Sequence, residues 1–161
     1  MKKVLAKEVM IPVSDYTIVK ESGTVKDAIN ALKATFFLDE KGIAQGHRSL
    51  LVVNDHDELV GVMTVRSILQ ALVIAEKDSG MSKDYLWVYL LGEIHKSAGD
   101  IPIKKVMRSK KVASVKVDDD LMIAVELMVR NGINSVPVLD DGKVVGVIRG
   151  IDVFNMIGEL L

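Results

Sequence analysis

The side chains able to do chemistry in this 161-residue chain are few. It has no cysteine, which excludes disulfides, thiol nucleophiles and thiolate metal sites. His47, His56 and His95 share no metal-ligand spacing, so no zinc or iron site is expected. Gly42-Ile43-Ala44-Gln45-Gly46 lacks both the spacing and the Lys-Ser/Thr of a phosphate loop. Nothing resembles a nucleophile elbow or a metalloprotease helix, and Asp118-Asp119 reads as a loop feature, not an acid–base dyad. Arg48 and Arg149, taken alone, read as solvated surface charges. Asp152, three residues after Arg149, opens a helical pattern, where an aspartate can also serve as a cap.

The segments around these residues occur twice. Gly61-Val62-Met63-Thr64-Val65-Arg66-Ser67-Ile68-Leu69 returns as Gly146-Val147-Ile148-Arg149-Gly150-Ile151-Asp152-Val153-Phe154. Upstream, Ser49-Leu50-Leu51-Val52-Val53-Asn54-Asp55 returns as Ser135-Val136-Pro137-Val138-Leu139-Asp140-Asp141. Thr24 to Ile29 matches Asp120 to Val125, and Val9-Met10 matches Val106-Met107. Two like-folded halves facing each other about a pseudo-two-fold axis are therefore expected, and pockets favour such interfaces.

Each copy has the same order of patterns. A short apolar strand comes first, Tyr16 to Val19 or Val112 to Val115. A helix follows with Val25, Ala28, Ile29 and Leu32 on one face, echoed by Leu121, Ala124, Val125 and Met128. Thr24 and Asp120 stand at the N-cap positions. Two β-rich runs then flank a turn, Asp140-Asp141-Gly142-Lys143 in the second copy and Asn54 to Glu58 in the first. A closing helix starts near Arg66 and near Asp152. The eight methionines read mostly as core fillers, Met122 and Met128 among them. The expected fold class is α/β (α+β), two β-α-β-β-α repeats, with domains at 1–74, a helical inter-repeat segment at 75–100, and 101–161.

Two stretches break the symmetry. The offset between copies is 96 at Ala28/Ala124 but 86 at Ser49/Ser135, which places an insert at about 35–45. The inter-repeat segment carries Tyr85-Leu86-Trp87-Val88-Tyr89-Leu90-Leu91. Ser82 caps an expected helix there, running to about His95 and apolar on nearly every side, as a helix with two buried faces or an exposed patch would be.

The ordered set, with Pro-Val-hydrophobic-Asp and then Gly-hydrophobic-hydrophobic-Xaa-Xaa-Xaa-Asp, resembles the cystathionine-beta-synthase (CBS) domain pair, or Bateman module, over roughly Val9 to Phe154. The resemblance implies a regulatory module that binds an adenosine-type ligand, AMP, ADP, ATP or S-adenosylmethionine, in clefts between the repeats. In the family, an Asp after the third strand holds the ribose hydroxyls, and a Ser/Thr three residues earlier assists. Here that Asp is Asp152, with Arg149 in place of the Ser/Thr. The main cleft would combine Asp152, Arg149 and Ile151 with Tyr16, Thr17, Arg48 and Ser49. A weaker second cleft would combine Thr64, Arg66 and Ser67 with Val112, Ala113, Asn134 and Ser135. Ser67 stands there where the family has its carboxylate, so the two sites should be unequal.

Composition agrees with a soluble, non-catalytic chain. Apolar residues make up 49% and charged residues 27%, with a net charge of −1. Nothing supplies the basic stripe that duplex nucleic acid needs. No run of about 18 apolar residues appears, and Lys7 and Glu8 interrupt the N-terminal apolar stretch before a signal peptide could form. The expectation is a stand-alone cytoplasmic regulator, a homodimer acting on an unknown partner protein, with no catalytic residues, no catalytic cofactor, no metal and no membrane insertion. The rival reading is a ligand-free structural or oligomerisation module.

Overall fold

The computed structural model of the chain describes residues 3–80, 100–107 and 111–160. The helix expected around Trp87 lies outside them. The chain divides into two compact units, one of Thr17–Lys110 and the other of Met1–Tyr16 with Lys111–Leu161.

The Thr17–Lys110 unit contains β2 (Ile18–Lys20), α2 (Val25–Lys33), β3 (Phe37–Leu38), β4 (Ala44–Gln45), β5 (Ser49–Val53), β6 (Leu59–Thr64), α3 (Val65–Ser79) and the short helix α4 (Ile103–Val106). Its three-stranded sheet runs β2-β5-β6, with β2 parallel and β6 antiparallel to β5. Leu50, Val52 and Met63 are fully buried against Val25, Ala28 and Leu32 of α2 and Ala71 of α3. Leu51 and Val53, on the opposite face of β5, are buried as well. A strand buried on both faces reads as the near-continuous apolar run seen here. Thr24 caps α2 as expected, its hydroxyl accepting from the Asp27 amide while the Asp27 carboxylate accepts from the Thr24 amide at 2.8 Å. The insert forms its own two-stranded ribbon, with Phe37 opposite Gln45 and Leu38 opposite Ala44.

The other unit contains α1 (Ala6–Val9), β1 (Ile11–Pro12), a 3-10 turn at Val13–Asp15, β7 (Val115–Lys116), α5 (Leu121–Asn131), β8 (Ser135–Asp140), β9 (Lys143–Arg149) and α6 (Gly150–Leu160). Its sheet runs β1-β9-β8-β7. The β8–β9 turn is the one expected. Asp141 and Gly142 both adopt positive φ, 48° and 80°, the conformation of a tight two-residue hairpin turn. Val136, Val138 and Ile148 pack on Leu121, Ala124 and Met128 of α5 and on Val153 of α6. Gly146 lies opposite Pro12 of β1, and a Cβ there would stand 2.6 Å from Met10 Sδ and 2.7 Å from the Ile11 carbonyl. Only glycine lets β1 approach so closely.

Two expectations need adjustment. The opening strands start later than anticipated, at Ile18 and Val115, because ladder pairing begins only at Ile18↔Leu51 and Val115↔Val138. Met122 is 57% exposed and fills no core. It follows Leu121 directly, which turns it off the stripe occupied by Leu121, Ala124 and Met128. The compact units draw on both repeats. The segment leading into the first repeat folds with the second, where the Leu121 amide donates to the Val4 carbonyl and the Ala6 amide to Asp119. The segment leading into the second repeat folds with the first, where the Val25 amide donates to Ile101 and the Ile103 amide to Gly23.

Candidate functional site

The strand-to-helix junctions at β9–α6 and β6–α3 hold the residues with chemical potential, and the two junctions are built differently. At the first, the Gly150 amide donates to the Asn134 carbonyl and Ser135 sits in register opposite Arg149. Arg149 is the last residue of β9 and Asp152 lies in the first turn of α6. The guanidinium donates twice to the carboxylate, from Nε to Oδ2 at 2.7 Å and from Nη2 to Oδ1 at 2.6 Å. Such a fork-to-fork pair is the strong, geometrically specific form of a charge-assisted hydrogen bond. The side chains are 35% and 21% exposed, so solvent weakens the pair without dissolving it. The Asp152 hydrogen bond raises the Arg149 pKa above its ordinary range, against an opposing effect of partial burial.

In the same unit, Tyr16 is buried and ends the 3-10 turn, its amide donating to the Val13 carbonyl. Val112, Ala113 and Ser135 are half-buried, Asn134 is exposed, and Ile151 is 55% exposed. The same unit carries an apolar cavity of about 490 Å³ between α5 and α6, lined by residues that include Val125, Met128, Val129, Val153, Phe154 and Ile157.

At the β6–α3 junction the corresponding residues are neutral. Thr64 caps α3, its hydroxyl accepting from the Ser67 amide at 3.2 Å, and Ser67 Oγ accepts from the Thr64 amide at 3.2 Å. The two hydroxyls lie 3.2 Å apart. This is a capping box with serine in the place of the usual Glu or Gln. Ser67 is only 3% exposed, and its hydroxyl is committed to the helix start. Arg66 and Arg48 are exposed; the Arg48 carbonyl accepts from the Val65 amide, and Ser49 pairs with Thr64 in register.

One residue of this unit escaped the sequence reading. His47 Nδ1 lies 2.9 Å from the buried Thr17 hydroxyl, and the His47 amide donates to Thr35 Oγ1 at 2.9 Å. His47 thereby ties the foot of the insert to the residue just before β2. The available signal was its position immediately before Arg48, at the end of the insert. Weighing the histidines only as metal ligands passed over it.

The structure therefore gathers Tyr16, Val112, Ala113, Asn134, Ser135, Arg149, Ile151 and Asp152 in one unit, and Thr17, Arg48, Ser49, Thr64, Arg66 and Ser67 in the other. Among the described residues no group of three or more His, Asp or Glu is placed to hold a metal ion. No helix among them is long and apolar enough to cross a membrane. No buried side-chain nitrogen or oxygen among them lacks a hydrogen-bond partner.

The family model described as CBS domain matches residues 6–74 and 99–159. An uncharacterized protein of Methanopyrus kandleri is 28% identical over 127 residues, 78% of this chain and 53% of that protein. The chain thus spans about half the length of that curated relative, and 39% of a second, from Methanocaldococcus jannaschii. Among solved structures, the M. jannaschii protein MJ1004 superposes with a TM-score of 0.68 at 26% identity, covering 98% of this chain and 60% of that one. CBSX2, solved in complex with AMP, superposes with a TM-score of 0.64 at 25% identity over 97% of both chains.

Proposed function

The chain belongs to the CBS domain family, with the domain present twice, and from that premise we propose that it is a regulatory module sensing an adenosine-type ligand rather than an enzyme. One observation carries the reading: the bidentate pairing of Asp152 with Arg149, a guanidinium suited to phosphate; by the sequence resemblance Asp152 corresponds to the family's ribose-binding carboxylate. The AMP complex of CBSX2 supports the ligand class. In this reading Asp152 accepts from the ribose hydroxyls and Arg149 turns to the phosphate, with Ile151, Tyr16, Thr17, Arg48 and Ser49 completing the main site. The second site, with Thr64, Arg66, Ser67, Val112, Ala113, Asn134 and Ser135, is weaker because the Thr64 and Ser67 hydroxyls already cap a helix. Occupancy would then be passed to a partner protein.

Calorimetry with AMP, ADP, ATP and S-adenosylmethionine at millimolar ligand tests the proposal. At least one compound should bind, Asp152→Ala should abolish the tighter event, and Ser67→Ala should leave it nearly unchanged. A ligand at 100 times its Kd should add about 2.7 kcal/mol of stability. Absence of heat and of thermal shift for every compound would overturn the reading.

A second reading, an oligomerisation module that holds no ligand, is favoured by the α5–α6 cavity, where Val129 and Phe154 are 79% and 69% exposed. A symmetric homodimer is the commonest way to cover such a surface. If that is the principal role, Phe154→Glu should give a folded species of half the mass in light scattering.

A further inference from the structure

The Arg149–Asp152 pair has a property that its members lack singly. A carboxylate bound side-on by a guanidinium fork gives up the two lone pairs that point away from its carbon, one on each oxygen. Those two lone pairs are also the ones a vicinal diol needs, because adjacent hydroxyls approach side by side. The remaining lone pairs diverge and cannot serve both hydroxyls together. At 2.6 and 2.7 Å both oxygens of Asp152 are engaged by Arg149, so a ribose can bring both hydroxyls side by side onto the carboxylate only by displacing the fork.

We propose that the Arg149–Asp152 fork is an exchange latch that selects ligands carrying both a vicinal diol and a nearby anionic phosphate over ligands carrying the diol alone. The inference rests on the nucleoside reading above and adds the ligand class. A diol without phosphate releases a partly buried guanidinium and offers nothing to pair it, and removing one partner of such a pair leaves the other charge uncompensated. A nucleotide supplies the diol to Asp152 and the phosphate to Arg149, so every charge keeps a partner. Neutral nucleosides, which carry no anion, are thereby disfavoured. The β6–α3 junction lacks the device, since Thr64 and Ser67 hold no charge to exchange. The Arg149 side chain, 35% exposed, can swing without unpacking the core cluster, to which it does not belong.

The latch makes a prediction of opposite sign for two related ligands. Arg149→Gln frees Asp152 and removes the phosphate partner. Adenosine should then bind about three- to tenfold more tightly, a modest gain because a partly exposed ion pair is weak, while AMP should bind at least tenfold more weakly. Arg149→Lys keeps the charge but not the fork. It should also tighten adenosine while retaining part of the AMP affinity, and it serves as the test if the glutamine variant folds poorly by circular dichroism. Titration calorimetry of wild type and both variants with adenosine and AMP reads all four quantities. Adenosine binding unchanged or weakened in both variants, with AMP still bound by the wild type, overturns the latch and leaves the nucleotide-sensor reading standing. Heat from neither ligand in any of the three proteins overturns both.

Discussion

Thr64→Ala tests whether the β6–α3 junction is a helix start in the way its geometry indicates. The Thr64 hydroxyl accepts from the Ser67 amide and lies 3.2 Å from Ser67 Oγ. Removing an N-cap hydroxyl costs about 1 kcal/mol. The loss here reaches further, because Ser67 is 3% exposed and its hydroxyl keeps only the Thr64 amide of the bonds described here. A buried polar group deprived of a partner costs about 1–3 kcal/mol, and the low end applies because that one bond survives. The expected total is about 2 kcal/mol, or about 4–8 °C in Tm for a chain of this size. Ser67→Ala alone should cost about 1 kcal/mol. The double variant should cost no more than Thr64→Ala, since once Thr64 is gone the Ser67 hydroxyl is itself a liability. Urea unfolding with an unchanged m value measures the three energies, and hydrogen exchange at the Ser67 amide localises the effect. A Thr64→Ala protein within about 0.3 kcal/mol of wild type, or strictly additive variants, would refute the reasoning.

Three further outcomes are expected. Gly146→Ala should cost about 1–3 kcal/mol in thermal or urea melts as an overpacked contact, and adding Met10→Ala should restore only part of it, because the Ile11 carbonyl still stands 2.7 Å from the new Cβ. Leu50→Ala should cost about 2–5 kcal/mol, Leu50 being fully buried, whereas Met122→Ala at a 57% exposed site should stay within about 0.5 kcal/mol. In the insert, the Ile43 amide, the Gln45 side chain and the Lys41 amide all donate to Asp39 and hold its pKa below the ordinary carboxylate value. A depressed pKa means stabilisation that is complete above the unfolded value of about 3.9 and is lost as pH falls through the folded one. The β3–β4 ribbon should therefore loosen only below about pH 4, seen as exchange broadening of the Lys41 and Ile43 amides in NMR. Asp39→Asn should remove that pH dependence.

The elements were legible because the signals that specify them are local and occur twice. Thr24 and Asp120 cap the helices assigned to them, Asp120 accepting from the Met122 amide at 3.0 Å. The Asp141-Gly142 pair turns where its positive-φ chemistry requires. Met122 misled because an apolar residue type was taken for a position, while the helix phase that exposes it was already visible in Leu121, Ala124 and Met128. The contact between Arg149 and Asp152 was not legible. Both were read as separate groups aimed at a ligand, and only the backbone course from β9 into α6 turns the fork onto the carboxylate. The Thr17–His47–Thr35 connection joins residues brought together by the insert, and no periodicity marks such a contact. The Val9-Met10 and Val106-Met107 match was seen as part of the repeat, but sequence order gave no reason to place each short helix with the opposite copy.

That exchange of leading segments separates the inherited unit from the folded one. What was duplicated in the sequence is a stretch that begins with α1 or α4, yet each compact body is completed by the leading stretch of the other copy. A lone copy could fold fully only by borrowing a leader from a second molecule, at whatever concentration that molecule was present. Joining two copies in one chain converts the loan into an intramolecular event, independent of protein concentration. The arrangement also means that fragments 1–80 and 100–161, made as separate chains, would each carry the missing leader of the other. Their expected product is a complementing pair.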